Sequence, residues 1–307
     1  MSSDSARGFL AITRRFQNVL ALLLLAVGLC GCRAVRTTRV VATQIPSPPQ
    51  NASLAQLVAK VNSQSAAIQS LTTIVDMKPS TGSVYSGVIS RYPDVRGFLL
   101  VKRPAFIRMT GQAPVVHTDI FDMASDGEQF SLYIPSRNKF YVGNVSLPQK
   151  PGASLENIRP QHILQGFLLE AIDASKESYF LEDVDRGSER DYVIGIVAGS
   201  GPGPVSVKRE IWFGRSNLEI SRVELYGAAG MRLESIEYSE YQDYDGIHYP
   251  TRIRIERPVE GYSFVITLEH PRFNQPVANS KFVLEKPAGV EVINLGNPAP
   301  GGSVHGQ

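Results

Sequence analysis

The chain has 307 residues, with 31 Lys and Arg against 29 Asp and Glu and only two cysteines. Taking away residues 1–31 removes three Arg and one Asp and leaves 28 basic and 28 acidic groups. That neutrality excludes the concentrated positive surface of a nucleic-acid binder and bulk-charge steering toward an anionic membrane. Cys30 and Cys32 both lie near the N-terminus, so the body folds without a disulfide and needs a core of its own.

Arg7, Arg14 and Arg15 precede an unbroken apolar run from Val19 to Leu29. Those 11 residues suit a signal-peptide core, whereas spanning a bilayer takes roughly 20. The run ends at Leu29-Cys30-Gly31-Cys32. An apolar residue three before Cys32 and a small one just before it predict cleavage there and lipid on Cys32. Cys30 stands where Ala or Ser is more usual, and bulky Leu29 before it makes Cys30 the poorer site. Residues 1–31 therefore read as a lipoprotein signal peptide. Residues 32–52 read as a lipidated N-terminus on a Pro-rich tether. Arg33, in place of the Asp that retains many Gram-negative lipoproteins at the inner membrane, favours the outer membrane facing the periplasm.

Residues 53–71 form an amphipathic helix in this reading, with Asn51 or Ser53 as cap. Leu54, Leu57, Val58, Val61, Ile68 and Leu71 share one face, and Ser65 interrupts it. The period then changes to two. Strands are expected at 72–78, 83–91, 95–102, 105–111, 117–124, 129–134 and 138–143, punctuated by turns at Lys78-Pro79, Tyr92-Pro93-Asp94, Arg103-Pro104 and Asp126-Gly127. Phe98 and Leu100, Phe106 with Arg108, and Phe130, Leu132 and Ile134 alternate along them. Several strands are apolar on both faces, so something covers each face or one face curves around a cavity.

A polar loop over 144–158 leads to a second helix at 160–173, opened by Pro160. Ile163, Leu164, Phe167 and Leu168 make it strongly apolar, as a core plug or a lid. Strands resume at 178–184, 190–198, 205–213, 218–226, 231–241, 248–256 and 262–270. Leu218 and Ile220 are out of phase with Val223 and Leu225, which predicts a bulge near Ser221. Tyr262, Phe264, Ile266 and Leu268 alternate cleanly. Gly199–Pro204 and Tyr244-Asp245-Gly246 read as hairpin turns, and 297–307 as a disordered tail. The sum is a mainly β (α+β) domain over 53–296: a large curved antiparallel half-barrel of eleven or more strands, with helices covering its concave face.

The stretch from Gly97 through Lys102-Arg103-Pro104 to Arg108, followed by Asp126-Gly127 and a strand ending Tyr133-Ile134-Pro135, resembles the outer-membrane lipoprotein carrier and receptor family, LolA and LolB. So do Asn274-Gln275-Pro276-Val277, Phe282 and Pro287–Val290. The resemblance implies an unclosed barrel whose apolar interior takes acyl chains beneath helices, with Phe98, Leu100, Phe106, Phe130, Leu132, Ile163, Leu164, Phe167, Leu168, Phe264 and Ile266 as cavity-lining or lid candidates. It implies that Arg103 latches the lid. The receptor relative carries an exposed apolar loop that serves membrane insertion. The 144–158 loop, with scattered Val145, Leu147 and Leu155, is a poor match for it.

Catalytic and metal signals are weak. His117, His162, His248, His270 and His305 are far apart, and no thiol remains after lipidation, so neither a catalytic site nor a metal or cofactor is expected. Gly199–Gly203 lacks the Lys-Ser/Thr of a phosphate loop, and no Gly-x-Ser-x-Gly occurs. Glu240, Asp243 and Asp245 fit a hairpin tip. Two functions remain open. One is binding of lipid or lipoprotein acyl chains, in sorting to the outer membrane. The other is a structural or assembly lipoprotein that docks a protein partner through the sheet and has no ligand cavity. The partners are then the membrane and acyl chains, or an envelope protein.

Overall fold

A computed structural model describes residues 48–83, 88–147, 158–187, 189–198, 205–227 and 230–295. The signal segment, Cys32, the tether up to residue 47, the Gly199–Pro204 turn, most of the 144–158 loop and the tail from 296 lie outside the described residues.

Helix α1 (Leu54–Ala67) starts at Ser53, whose side chain accepts from the backbone N–H of Gln56 while Gln56 reaches back to the Ser53 N–H, a complete capping box. It ends four residues earlier than its periodicity predicts. Ile68 is extended and buried, and Leu71 already belongs to the first strand.

Among the described residues, fifteen strands form one sheet. They are β1 (Ser70–Ser83), β2 (Val88–Arg91), β3 (Val95–Lys102), β4 (Phe106–Gln112), β5 (Asp119–Ser125), β6 (Gln129–Ile134), β7 (Lys139–Asn144), β8 (Ser178–Asp185), β9 (Arg190–Ala198), β10 (Ser206–Gly214), β11 (Ile220–Tyr226), β12 (Arg232–Tyr244), β13 (Ile247–Arg257), β14 (Tyr262–Phe273) and β15 (Glu291–Leu295). The order across the sheet is β15-β7-β6-β5-β4-β3-β1-β14-β13-β12-β11-β10-β9-β8, with β2 beside the far half of β1. β8 and β15 are its two edges, so it is unclosed. Every pairing is antiparallel except β15 with β7, a strand the sequence did not announce.

Helix α2 (Pro160–Phe167) touches β4 and β5 on one side and β13 on the other. Four inter-strand steps separate β4 from β13. At about 4.8 Å per step, a flat sheet would put them some 19 Å apart, wider than the ~10–12 Å of a helix. The sheet therefore curves around α2, and one apolar cluster fills the concave side. Leu57 and Val61 of α1, Leu99, Ile107 and Met109, Ile163, Leu164 and Phe167 of α2, and Ile211, Ile253, Ile255 and Ile266 all belong to it.

Two local expectations shift. Lys78-Pro79 is not a turn, because β1 runs through it, pairing Pro79 with Phe264. Pro79 sits where β1 exchanges β3 for β2 as its neighbour, and its carbonyl accepts from the Tyr92 N–H on that side. Its missing N–H faces the same seam, where no ladder bond is lost. The bulge falls where predicted: Trp212 pairs with Arg222 and Phe213 with Ile220, leaving Ser221 as the extra residue. At the β12–β13 hairpin, Asp245 and Gly246 both have positive φ, the backbone of a type I′ turn.

Candidate functional site

The concave side is organised around α2 and the segment that follows it. Ile163, Leu164, Phe167 and Leu168 are buried. Gly166 lets the helix lie against β13: a Cβ there would stand 2.7 Å from Ile255 Cδ1. Polar side chains then fix the helix to three strands. Gln161 Nε2 donates to Ser125 Oγ at 2.8 Å. His162 Nδ1 shares a 2.6 Å hydrogen bond with the Tyr262 hydroxyl. The Tyr249 hydroxyl donates to the Phe167 carbonyl at 2.7 Å. Burial, and then the nearby charges of Arg257 and Arg159, push the His162 pKa down to about 3, so the imidazole is neutral.

The predicted helix over 160–173 stops at Phe167, and the chain continues as an irregular strap. Four successive strap carbonyls are met by side chains. Leu169 O accepts from Arg103 Nη2 at 2.8 Å and from Ser65 Oγ at 2.8 Å. Glu170 O accepts from Arg209 Nη1 at 2.9 Å, and Ala171 O from Arg209 Nη2 at 3.4 Å. Ile172 O accepts from Asn62 Nδ2 at 3.0 Å, and Asn62 Oδ1 takes the Ile172 N–H at 2.7 Å. Arg103 also donates Nε to Ile68 O at 2.9 Å and Nη2 to Ser65 Oγ at 3.0 Å. One guanidinium on the turn after β3 thus ties the end of α1 to the strap.

Below the start of α2 lies a buried ionic group. Arg257 donates Nη1 to Glu234 at 3.0 Å and also pairs with Glu260; both carboxylates are fully buried. Burial pushes the Glu234 pKa up to about 8 against the pull of Arg257.

The residues singled out from the sequence do not all converge. Ile163, Leu164, Phe167, Leu168 and Ile266 enter the central cluster, and Leu132 and Phe264 pack partly buried against it. Phe130 is buried elsewhere, under the guanidinium of Arg159. Phe98 and Leu100 are a correction. Val95, Leu99 and Val101 take the inward phase of β3, which leaves Phe98 55% exposed on the outer face. Phe106 likewise faces out with Arg108, and its ring lies 5.2 Å from that of Phe282 in the covering C-terminal segment. Apolar residues in both phases of one strand gave no signal for which phase pointed inward.

Among the described residues, the space between α2 and the sheet is narrow beside Gly166 and Phe167: the free space there, facing Gln64, Tyr238, Tyr241 and Tyr249, is ≈ 10 Å³. That is room for about one water molecule.

Three features escaped the sequence reading. Arg209 is 2% exposed and sits in the inward phase of β10 with Ile211 and Phe213. A charged residue in an otherwise apolar phase was the available signal. Ser65, the gap in the apolar face of α1, is the place where the Arg103 contact passes. Val115 and Val116, at the β4–β5 tip, are 87% and 70% exposed. They form an exposed apolar pair outside the 144–158 loop, which the sequence reading had found a poor match for an apolar loop. Trp212 lies on the outer face, between the guanidinium groups of Arg186 and Arg222.

No family model matches the chain, and no curated protein matches it. Solved structures do. A DUF1329 family protein from Desulfovibrio piger is 16% identical, with a TM-score of 0.48 over 74% of this chain and 94% of that one. A LolA superfamily protein from Nitrosomonas europaea is 17% identical, with a TM-score of 0.46 over 74% of this chain and 97% of that one. A Vibrio parahaemolyticus domain described as an outer-membrane lipoprotein-sorting protein is 13% identical, with a TM-score of 0.46 over 74% and 94% of the two chains. Among the described residues no helix is long and apolar enough to cross a membrane.

Proposed function

We propose that this protein is a lipid-anchored envelope protein of the outer membrane that binds acyl chains, by itself or on lipoproteins, in the concave side of its half-barrel, and that the described state is its closed form. It binds and does not catalyse. The observation that carries this reading is the latch. The strap and α2 fill the hollow, and a small set of side chains led by Arg103 holds them there through neutral acceptors. Burial lowers the Arg103 pKa, so its hydrogen bonds are made at a desolvation cost.

Opening is conditional. Ile163, Leu164, Phe167 and Leu168 each gain about 1.5–3 kcal/mol by burial, so swinging them into water is unfavourable. Against a bilayer or an entering acyl chain that loss is returned, at about 0.8 kcal/mol per buried CH₂. Uptake and release would therefore be confined to the membrane surface. Val115 and Val116 offer the apolar tip that the receptor resemblance calls for, and lipid on Cys32 would keep it within reach of the membrane.

The ≈ 10 Å³ hollow favours a second reading: a solid domain that docks a protein partner through its sheet. Native mass spectrometry of the full chain carrying Cys32→Ala, purified from cells, separates the two. Acyl lipids should co-purify, more abundantly with Arg103→Leu. If neither form carries lipid, and α2 amides exchange as slowly as those of β13, the docking reading replaces the first.

A further inference from the structure

We infer that Arg103 and Arg209 form an anion subsite under the strap, so that the acyl ligand ends in an anionic group, a carboxylate or a phosphate. This rests on the acyl-binding reading and narrows its ligand to free anionic lipids, apart from the acyl chains of lipoproteins.

Both guanidinium groups point at one place, the backbone of Leu169, Glu170 and Ala171. Arg209 comes from β10 and Arg103 from the turn after β3, strands on opposite flanks of the curved sheet. Arg209 is 2% exposed, and its Nε has no partner. Among the described residues it hydrogen-bonds only two neutral carbonyls of the strap, the second at a long 3.4 Å. The carboxylates near it stand off: Glu170 at 3.5 Å and Glu177 at 3.7 Å, the latter held by Lys208 at 3.1 Å.

Glu170 is the informative one. It belongs to the strap itself, its side chain is 68% exposed, and its charge is felt by both Arg103 and Arg209. It acts as a tethered stand-in for an anion. When the strap leaves, Arg209 loses its carbonyl partners and the Glu170 carboxylate together. Only Glu177, at 3.7 Å and shared with Lys208, then remains as its counter-ion, and a nearly buried guanidinium with so few partners is costly, on the order of several kcal/mol. An anionic head entering with the acyl chain replaces what the strap removed. Guanidinium, with its fork of donors, suits carboxylate and phosphate oxygens. A neutral triacyl or ester head would leave these donors unmet.

The test compares oleate, methyl oleate and acetate binding to the full chain carrying Cys32→Ala, by calorimetry at pH 8. Oleate should bind at least tenfold more tightly than methyl oleate, and acetate not at all. Arg209→Gln should bring that ratio close to one while methyl oleate affinity stays within about threefold. Should that variant not fold, Arg103→Gln, at a half-buried site, should lower the ratio at least threefold. The ratio is insensitive to how easily the strap opens, because both ligands need the same opening. Equal binding of oleate and methyl oleate to the parent protein overturns the anion subsite and leaves acyl binding standing. Binding of neither overturns acyl binding itself. Acetate binding as tightly as oleate would mean an anion site without acyl specificity, and would overturn the inference as stated.

Discussion

The Tyr249 hydroxyl donates its hydrogen to the carbonyl of Phe167 across a buried 2.7 Å contact. It closes the C-terminal end of α2 from β13, where the helix's own ladder has run out. Tyr249→Phe keeps the ring and removes the donor, leaving a buried carbonyl without this bond. We expect a loss of about 1–3 kcal/mol in urea-unfolding free energy. Faster hydrogen exchange should be confined to residues 160–172. Equal exchange at all sites would mean that the contact does not hold the helix.

Gly166 invites a steric test. Its missing Cβ is what lets α2 approach Ile255. Gly166→Ala puts a Cβ 2.7 Å from Cδ1 and 3.2 Å from Cγ1 of the buried Ile255, a crowding set against a helix-propensity gain of about 1 kcal/mol, so its net effect should be small. Gly166→Leu overpacks the same contact and should cost about 1–3 kcal/mol. Thermal unfolding of the two variants side by side reads the difference. The glycine serves close packing, so a hinge role would instead make Ala as harmful as Leu.

His162 predicts the response to acid. Its folded pKa, about 3, lies below its ordinary 6.5. The neutral imidazole's contribution is therefore complete above pH 6.5 and is lost as the pH falls from there toward 3. The slope is at most ~1.4 kcal/mol per pH unit. Protonation adds a cation beside Arg159 and Arg257, so α2 should loosen at its N-terminal end first. Stability measured from pH 7 to pH 4 should fall less steeply for His162→Gln than for the parent. Parallel curves would count against this role.

The ionic contacts should divide by burial. Arg257→Met removes the guanidinium shared by two fully buried carboxylates, Glu234 and Glu260, and should cost ~3–5 kcal/mol. Arg96 bridges Asp76 and Glu269 across β3, β1 and β14 on the outer face, where all three side chains are a third or more exposed. Arg96→Ala should cost under about 1 kcal/mol, and less in high salt. Chemical unfolding at two ionic strengths distinguishes them.

Much of the architecture was written in the sequence. Period-two alternation and turn residues marked out most of the strands, and the phase slip around Ser221 gave the bulge, because backbone geometry is a local property. The cap at Ser53 and the helix start at Pro160 were legible for the same reason. The site was harder. Phe98 and Leu99 are equally apolar, and only curvature of the whole sheet decides which of them faces the interior. β15 was invisible, because its pairing with β7 joins segments about 150 residues apart. Ser65 was visible only as a flaw in an apolar face, and Arg209 only as a charge out of place. Their meaning came when folding set both against the same strap. The sequence by itself determined a large β-domain and set the expectation of an export signal and an anchor, since these depend on runs and periods. The tertiary structure decided that the concave side is occupied by α2 and held by Arg103, Arg209 and Tyr249, since a buried carbonyl acquires its donor only from chain that is distant in sequence.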